Sequence, residues 1–227
     1  MDVSLRFLFD DNAGQSHLTL KGESFKYIIK VRRHQIGDEL GFRTNEASKV
    51  LYRYKVSSID GRTAQLTLTA QEIEEVKAQK QLHIGWCVVD NKSVEKVLPL
   101  LNELGVSKIT FIYCDRSQKN FKPDFKRYER ILESSMQQCG RSEMMVFSEM
   151  KDIEAFIADN PQTVVFDFCD EVLEDGEGID TVLIGSEGGF SESERTFLTE
   201  QKVLRLDTPM ILRSETAATA IASKILL

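Results

Sequence analysis

The sequence predicts an α/β protein of two domains, in which a small β-rich domain precedes a domain built on a mostly parallel sheet. In the first seventy residues, short segments alternate apolar and polar side chains, which is the period of half-buried strands. Further along, apolar segments typical of buried strands alternate with amphipathic helical segments, as in parallel sheets covered on both faces. The polar segment 71–81 separates the two patterns. We therefore predict domains at residues 1–75 and 76–227.

The first domain is predicted to form a small β-barrel or sandwich with one helix. Gly22 turns the chain into that helix, which begins near Ser24, and Glu23 and Ser24 are the candidates for its N-cap. The pair Asp60-Gly61 is a strong signal for a tight hairpin between two alternating segments. The predicted strands cover residues 6–10, 18–21, 36–44, 49–60 and 62–70.

The second domain is predicted to alternate strands and helices. Gly105 and Gly140 follow helical apolar patterns, where glycine favours the conformation that ends a helix. Pro99 lies inside the first helical pattern, where its ring is expected to bend the helix. The predicted strands cover residues 82–90, 108–114, 144–150, 163–169, 181–185 and 203–207. The predicted helices cover residues 92–105, 124–140, 152–160, 191–201 and 214–227.

The charge is acidic on average but uneven along the chain. A formal net charge of −7 argues, as an average, against nucleic-acid binding. Two stretches, 26–34 and 116–130, are nevertheless strongly basic, and the second interleaves aromatic side chains. Because local patches decide binding, these stretches predict a nucleic-acid surface, although a solvated helix face explains either one alone equally well.

Composition also excludes several classes of protein. No apolar run approaches the roughly 20 residues of a membrane span, and the N-terminus lacks the pattern of a signal peptide, so we expect neither. The histidines form no metal-binding pattern, and we predict no metal site. The cysteines are scattered without a CxxC pair, which predicts four buried thiols in a reducing compartment rather than zinc ligands or disulfides. They are Cys87, Cys114, Cys139 and Cys169.

The stretch LIGSEGGF, residues 183–190, joins a predicted strand to a helix with a capping box at Ser191 and Glu194. Such a loop lies at the carboxyl end of a strand, where open α/β sheets bind ligands. It lacks the Gly-Lys-Ser/Thr of a phosphate-binding loop, and Glu187 would repel a pyrophosphate. The loop therefore predicts a neutral or cationic ligand such as S-adenosylmethionine, unless it is only a tight turn before a capped helix.

The stretch 206–220 leads from a strand end into a helix rich in small residues. Arg213 and Glu215 lie at the start of that helix, where unpaired backbone N–H groups also point. A charged pair at such a position indicates either a functional site or a salt bridge that caps the helix.

Together, the two stretches resemble the SPOUT class of RNA methyltransferases, and within it the RsmE family, which methylates N3 of a uridine in 16S ribosomal RNA. The family's IGPEGG loop is matched by Ile184–Gly189, with Ser186 in place of proline. Its ILRxETA motif is matched in full by Ile211–Ala217. Asn102–Ile109 resembles the family's TELGV helix end, and Gln137–Arg141 resembles its EQxGR segment.

This resemblance extends over nearly the whole chain and implies its architecture. It implies a PUA-like RNA-binding β-barrel followed by a SPOUT domain with a trefoil knot, and it implies a homodimer. It also implies S-adenosylmethionine as methyl donor, no metal, and 16S ribosomal RNA of the small ribosomal subunit as a cytoplasmic substrate. Residues 207–210 depart from the family, since DTPM replaces the usual LGxR and removes a glycine and a basic residue.

Given the resemblance, we predict roles for individual residues. Arg213 is predicted to stabilise the uracil anion that forms when N3 loses its proton, and Glu215 to orient Arg213 or accept that proton. The residues predicted to bind the donor are Ile184, Gly185, Glu187, Gly188, Gly189, Leu206, Asp207, Met210, Ile211, Leu212, Thr216 and Ala217. The residues predicted to contact RNA are Arg6, Lys30, Arg32, Arg33, Arg116, Lys119 and Arg141.

Two other functions stay open at this point. The first is a methyltransferase of the same class that acts on another RNA base. The second is an RNA-binding protein of ribosome assembly that has lost catalysis. The altered segment 207–210 keeps the second alternative open. A phosphate-dependent nucleotide enzyme is disfavoured by Glu187 and by the missing lysine.

Overall fold

The computed structural model describes residues 6–46, 48–118 and 122–227. They divide into two compact units. The first comprises the chain as far as Lys77 together with Met136–Glu143, and the second comprises Ala78–Ser135 and Met144–Leu227. Nothing in the sequence pattern indicates that Met136–Glu143 belongs with the first unit.

A five-stranded sheet forms the first unit, with the strand order β1-β3-β4-β5-β2. Its strands are β1 (Leu8–Phe9), β2 (His17–Lys21), β3 (Glu39–Arg43), β4 (Val50–Asp60) and β5 (Thr63–Ile73). Strand β1 runs parallel to β3, and the remaining pairs are antiparallel. Two register shifts between β4 and β5 are irregularities of the kind that bend a strand pair. The described strands therefore form one sheet with β1 and β2 at its edges, rather than a sandwich.

Strand β5 is longer than the sequence predicts. Residues Gln71–Ile73 were expected in a linker, but they continue the ladder opposite Val50–Tyr52. Polar side chains do not prevent this pairing, because the backbone supplies the hydrogen bonds and one face of an antiparallel sheet can be solvated.

The helix of the first unit, α1 (Gly22–Phe25), continues as a π-helix over Lys26–Val31. Lys21 occupies the N-cap position without a side-chain hydrogen bond, so the predicted capping by Glu23 or Ser24 is wrong. Both lie inside the first turn because the helix begins earlier than predicted. Its apolar side chains join the core of the sheet, which includes Phe25, Ile28, Leu18, Leu66 and Tyr54.

A six-stranded sheet forms the centre of the second unit, with the order β11-β9-β10-β6-β7-β8. Its strands are β6 (His83–Cys87), β7 (Lys108–Ile112), β8 (Val146–Met150), β9 (Val164–Phe166), β10 (Thr181–Ile184) and β11 (Lys202–Leu204). Every pairing in this sheet is parallel, which confirms the sequence prediction. Because β9, β10 and β6 are parallel neighbours, the loops that follow these strands leave the sheet at the same edge.

Helices connect the strands of this sheet. They are α2 (Asn91–Leu104), α3 (Phe125–Cys139), α4 (Ile153–Asp159), α5 (Glu192–Phe197) and α6 (Ser214–Leu226). Gly105 and Gly140 follow α2 and α3 with φ of 99° and 90°, so the predicted glycine ends are confirmed. No helix among the described residues is both long and apolar enough to cross a membrane.

The cysteines differ from the sequence prediction. Cys87 ends β6 and Cys114 follows the neighbouring strand β7, and the two form a disulfide. The expectation of four buried thiols is therefore wrong, because strand order brings together two cysteines that lie 27 residues apart. Cys139 and Cys169 are only partly buried. Among the described residues, no cluster of potential metal ligands is present.

Candidate active site

A cavity of about 510 Å³ lies at the carboxyl edge of the parallel sheet. Its walls come from the segments that follow β7, β9, β10 and β11, and from the segment that leads into α6. This is the edge at which open α/β sheets bind ligands, and the volume is within the range of small-molecule sites. The lining combines apolar side chains, such as Phe166 and Ile221, with glycine backbone and charged groups.

The glycine-rich loop, Gly185–Gly189, forms one wall and has a defined conformation. The Gly189 N–H donates to the Ser186 carbonyl at 2.9 Å, and Gly189 has φ of 65°, where a side chain would be strained. Helix α5 follows, and its capping box is present as predicted: the Glu194 N–H donates to Ser191 Oγ at 3.2 Å, and the Ser191 N–H donates to Glu194 Oε2 at 2.7 Å. The loop is thus fixed at its carboxyl end.

Ser214 fixes the start of the same loop. Its hydroxyl accepts a hydrogen bond from Trp86 Nε1 at 2.8 Å and donates to the Gly185 carbonyl at 2.5 Å. Both bonds are buried. Without the Ser214 hydroxyl, Trp86 Nε1 and the Gly185 carbonyl would each lose a partner that water could not replace. One side chain at the first residue of α6 thereby connects that helix to β6 and to the glycine-rich loop.

Arg116 holds the loop from a third direction. Its Nη1 donates to the Gly188 carbonyl at 2.8 Å, and its own carbonyl accepts from Ser186 Oγ at 3.2 Å. The adjacent Asp115 N–H donates to Glu194 Oε1 at 2.7 Å. Arg116 was predicted as an RNA contact, but the structure places it in the cavity lining.

Four arginines line the cavity, and they differ in their partners. Arg195 donates twice to Asp167, at 2.7 and 3.1 Å, and these hydrogen bonds raise the pKa of Arg195. Arg205 donates to the Leu206 carbonyl at 3.1 Å and lies 3.7 Å from an Asp207 carboxylate oxygen. In the described part of the chain, Arg116 and Arg213, the other two, have no carboxylate partner.

Most residues predicted to bind the donor do line this cavity. They are Ile184, Gly185, Glu187, Gly188, Gly189, Leu206, Met210, Ile211, Leu212 and Ala217. Asp207 and Thr216 are not among the lining residues. Asp207 instead accompanies Arg205, and Thr216 is exposed on the first turn of α6.

The altered segment 207–210 keeps its place at the cavity although it departs from the family pattern. The Met210 N–H donates to Thr208 Oγ1 at 3.2 Å, so the segment forms a turn of its own. The side chains of Met210 and Ile211 are 64% and 82% exposed beside the cavity. At Met210 the departure leaves apolar surface at the rim, where the family has a basic residue, whereas Ile211 belongs to the matched motif.

The two residues with predicted catalytic roles are separated by the structure. Arg213 is exposed and lines the cavity. Glu215 is buried, at 6% exposure, and does not line it. Among the described residues no ion pair joins them, so the predicted orienting contact and the capping salt bridge are both absent. Arg213 is the N-cap of α6 and Glu215 is in its first turn, so their side chains leave the helix in different directions.

The predicted RNA contacts other than Arg116 fall into three groups. Arg6, Lys30, Arg32 and Arg33 are exposed on the first unit. Arg141 is buried, at 7% exposure, and burial lowers its pKa, so the prediction of a surface phosphate contact is wrong for this residue. Lys119 lies outside the described residues. The stretch 26–34 thus remains the basic surface of the first unit.

Sequence reasoning missed several lining residues. Asp167 and Phe168 follow β9, and Arg195 lies on α5. A usable signal existed for the first two, since they directly follow the apolar segment TVVF and the carboxyl ends of parallel strands share one edge. Arg195 carries no such signal, because only the neighbouring positions of β9 and β10 bring it to Asp167.

Comparison with known proteins gives concordant results. The family model of the RNA methyltransferase domain matches residues 76–226. The chain is 36% identical over 223 residues to ribosomal RNA small subunit methyltransferase E of Helicobacter pylori, covering 96% of this chain and 98% of the relative. The enzyme of the same name from Aquifex aeolicus is 27% identical over 228 residues and covers 96% of both chains.

Solved structures share the whole fold at lower identity. Ribosomal RNA small subunit methyltransferase E of Neisseria gonorrhoeae, bound to S-adenosyl methionine, superposes with a TM-score of 0.73 at 15% identity, covering 97% of this chain and 96% of that chain. A methyltransferase from Legionella pneumophila, in complex with the same molecule, gives 0.74 at 20% identity over 96% of both chains. At this identity the likeness concerns the fold alone.

Proposed function

The chain belongs to the RNA methyltransferase family, among the small subunit ribosomal RNA methyltransferases E, and on that premise we propose that it transfers a methyl group from S-adenosylmethionine to N3 of a uridine in 16S ribosomal RNA. The observation that carries the proposal is the cavity at the carboxyl edge of the sheet, lined by both family motifs. The reaction takes place in the cytoplasm, where the small ribosomal subunit is available as substrate.

The residues of the cavity fit this donor. S-adenosylmethionine supplies a methyl group attached to a sulfonium cation, together with an adenine ring, a ribose and a free amino acid part. Glu187 and Asp167 are lining carboxylates, which suit a cation and ribose hydroxyls and disfavour a polyphosphate. Phe166, Leu204 and Ile221 supply apolar surface of the kind an adenine ring requires.

Arg213 and Glu187 are the groups available to assist the nucleophile. Uridine N3 becomes nucleophilic only when its proton leaves, and the resulting charge spreads onto the carbonyl oxygens. Arg213 lines the cavity without a carboxylate partner in the described part of the chain, so it can stabilise that charge. Glu187 is exposed in the same cavity and forms no ion pair with a described residue. It is therefore better placed than the buried Glu215 to accept the proton.

RNA binding is assigned to the first unit. Lys30, Arg32 and Arg33 are exposed and follow one another closely in and after the π-helix. Arg32 packs 5.3 Å from the centre of the Tyr27 ring and donates to its hydroxyl, so this guanidinium is presented in a fixed position. Cations held in this way bind RNA phosphates and fix the register of the substrate. The target uridine must be unpaired, because N3 lies on its pairing edge.

A homodimer would cover the apolar rim of the cavity. Phe168, Met210 and Ile211 line the cavity and are 73%, 64% and 82% exposed. Burial of such surface stabilises association by about 25 cal/mol per Å². We therefore place the second subunit beside the donor cavity, in agreement with the resemblance to the RsmE family.

Methylation of small subunits tests the proposal. Small ribosomal subunits from cells that lack the modification are incubated with the protein and S-adenosylmethionine, and the digested RNA is analysed by mass spectrometry. The expected result is 3-methyluridine. A different methylated base would retain the enzyme class and replace the target. Donor binding without any methylation of the subunit would retain the enzyme class and refute this target. Failure to bind the donor as well would favour a non-catalytic RNA-binding protein.

A further inference from the structure

We propose that Arg116 binds the α-carboxylate of the methionine part of the donor. The inference rests on the proposed function, since it takes S-adenosylmethionine as the ligand of the cavity. It changes the role of Arg116 from an RNA contact, which the sequence predicts, to a donor-binding residue.

Arg116 is held in position before any ligand arrives. Its Nη1 donates to the Gly188 carbonyl at 2.8 Å, and a Cβ placed on Gly188 would lie 3.2 Å from the Arg116 Cβ. Arg116 lies in a turn that fixes its backbone. The Cys114 N–H donates to Ser117 Oγ at 2.9 Å, and the Ser117 N–H donates to the Cys114 carbonyl at 3.0 Å. Cys114 is in turn bonded to Cys87 at the end of β6.

The guanidinium retains donors for a ligand. It carries five N–H groups in a planar fork, and the bond to Gly188 occupies one of its nitrogens. The residue is exposed and lines the cavity together with Glu187. An arginine fork of this kind matches a carboxylate with two parallel hydrogen bonds.

The charges of the cavity indicate which anion Arg116 takes. Arg195 is paired with Asp167, and Arg205 lies beside Asp207. In the described residues, two lining arginines therefore remain without a carboxylate, namely Arg116 and Arg213. The proposed reaction brings two anions, the α-carboxylate of the donor and the charge that develops on uracil. Arg213 is already assigned to the charge on uracil, so the donor carboxylate is left to Arg116, whose guanidinium is hydrogen-bonded to Gly188 of the glycine-rich loop.

Binding measurements with two ligands test this assignment without the RNA. S-adenosylhomocysteine carries the α-carboxylate, and 5′-methylthioadenosine has the same nucleoside and sulfur but lacks the amino acid part. Isothermal titration calorimetry gives the Kd of each for the full chain and for Arg116→Met. We expect Arg116→Met to weaken S-adenosylhomocysteine about tenfold or more beyond any weakening of 5′-methylthioadenosine, because the hydrogen bonds to the carboxylate are lost for the first ligand alone, whereas the support of Gly188 is lost for both. The ammonium group cannot cause such a loss, because Arg116 would repel it.

Two further variants distinguish a direct contact between Arg116 and the carboxylate from an effect of the overall positive charge of the cavity. Arg116→Lys keeps the charge without the fork, and we expect its S-adenosylhomocysteine affinity to lie between those of wild type and Arg116→Met. Arg205→Met removes the same charge from an arginine of the same cavity that already has a carboxylate beside it. It should leave the ratio of the two Kd values unchanged. If Arg205→Met changed that ratio as much as Arg116→Met, the overall positive charge of the cavity, and not a contact with Arg116, would explain the effect, and the proposal would be overturned.

The remaining outcomes also decide. Equal weakening of both ligands by Arg116→Met would show that the residue only supports the glycine-rich loop, and would overturn the proposal. Unchanged binding of both ligands with weaker binding of small ribosomal subunits would restore the role of a phosphate contact. Failure of the wild type to bind either ligand would instead refute the methyl donor itself, which distinguishes this failure from the others.

Discussion

The two segments that line the cavity differ in how firmly the rest of the chain holds them. The glycine-rich loop accepts hydrogen bonds from Ser214 and Arg116, and the capping box fixes the start of α5 directly after it. The segment Asp207–Arg213 is held, among the described residues, by bonds within its own turn and by the pairing of Asp207 with Arg205. Its Met210 and Ile211 are largely exposed. The first segment is preorganised for a ligand, whereas under the proposed function the second would be completed by donor, RNA or a second subunit.

This difference separates two kinds of mutational effect. A change that removes a support of the glycine-rich loop should lower stability and donor affinity together. A change in the Asp207–Arg213 segment should lower the reaction rate or association and leave stability alone. A stability loss caused by a change in the Asp207–Arg213 segment, or its absence after removal of a support of the glycine-rich loop, would contradict this difference.

Arg213→Ala is expected to have the largest effect. The rate of methyl transfer should fall about 10²- to 10³-fold, as when one donor to a developing oxyanion is removed. Affinity for S-adenosylhomocysteine and the Tm should stay unchanged, because Arg213 is exposed and forms no ion pair with a described residue. Single-turnover transfer of a labelled methyl group to small subunits measures the rate. Arg213→Lys is the control and should recover part of it, while near-normal turnover in Arg213→Ala would refute the role.

Ser214→Ala should affect the firmly held segment instead. It leaves Trp86 Nε1 buried without an acceptor and removes the donor to the Gly185 carbonyl. We expect a loss of about 1–3 kcal/mol in the free energy of unfolding, together with weaker donor binding. Urea unfolding followed by the emission of Trp86, the single tryptophan, reports on this position directly.

A serine of the same helix provides the control. The hydroxyl of Ser223 forms no hydrogen bond with a described residue, so Ser223→Ala should change stability little. If Ser214→Ala were as stable as Ser223→Ala, the glycine-rich loop would not depend on this anchor, and the contrast between the two segments would be lost.

Local pattern and long-range position contributed differently to what the sequence could predict. The capping box at Ser191 and the glycine ends of α2 and α3 depend on a few neighbouring residues, and the structure confirms them. The parallel sheet follows from the alternation of apolar and amphipathic segments, which also is local information.

Pairings between distant elements could not be predicted in this way. The contact of Arg195 with Asp167, the position of Arg116 over Gly188 and the bond of Cys87 to Cys114 all require the strand order of the sheet. Chain spacing carries no such order. Arg141 illustrates the same limit for charge, since it was expected to contact RNA phosphate and is buried.

The opposite edge of the sheet provides a contrast in pH dependence. His83 begins β6, and burial, with a smaller contribution from Lys108, lowers its pKa to about 4. The folded chain therefore keeps His83 neutral, whereas the unfolded chain protonates it near the ordinary pKa of 6.5. Above pH 6.5 His83 is neutral in both states and does not reduce the free energy of unfolding. As the pH falls from 6.5 towards 4, only the unfolded chain binds the proton, so the free energy of unfolding decreases.

Comparison with His83→Gln isolates this effect from the carboxylates that titrate in the same range. The free energy of unfolding, measured in urea between pH 4 and pH 8, should fall less steeply in the variant towards acid. Donor affinity should respond to pH equally in both proteins, because His83 does not line the cavity. Identical stability profiles would show that His83 is not held neutral.

Replacement of Met210 and Ile211 by serine should change stability least. Both side chains are largely exposed in the single chain, so the free energy of unfolding of the monomer, measured at a concentration below dimerisation, should stay within about 0.5 kcal/mol of the wild type. In the proposed homodimer the apolar rim is buried against a second subunit, so the mass in solution, measured by light scattering, should nevertheless shift from dimer towards monomer. A stability loss as large as that of Ser214→Ala, with no change in mass, would mean that this segment is packed within its own chain. The difference between the two walls of the cavity would then be one of exposure alone, and the second subunit would have to bind elsewhere.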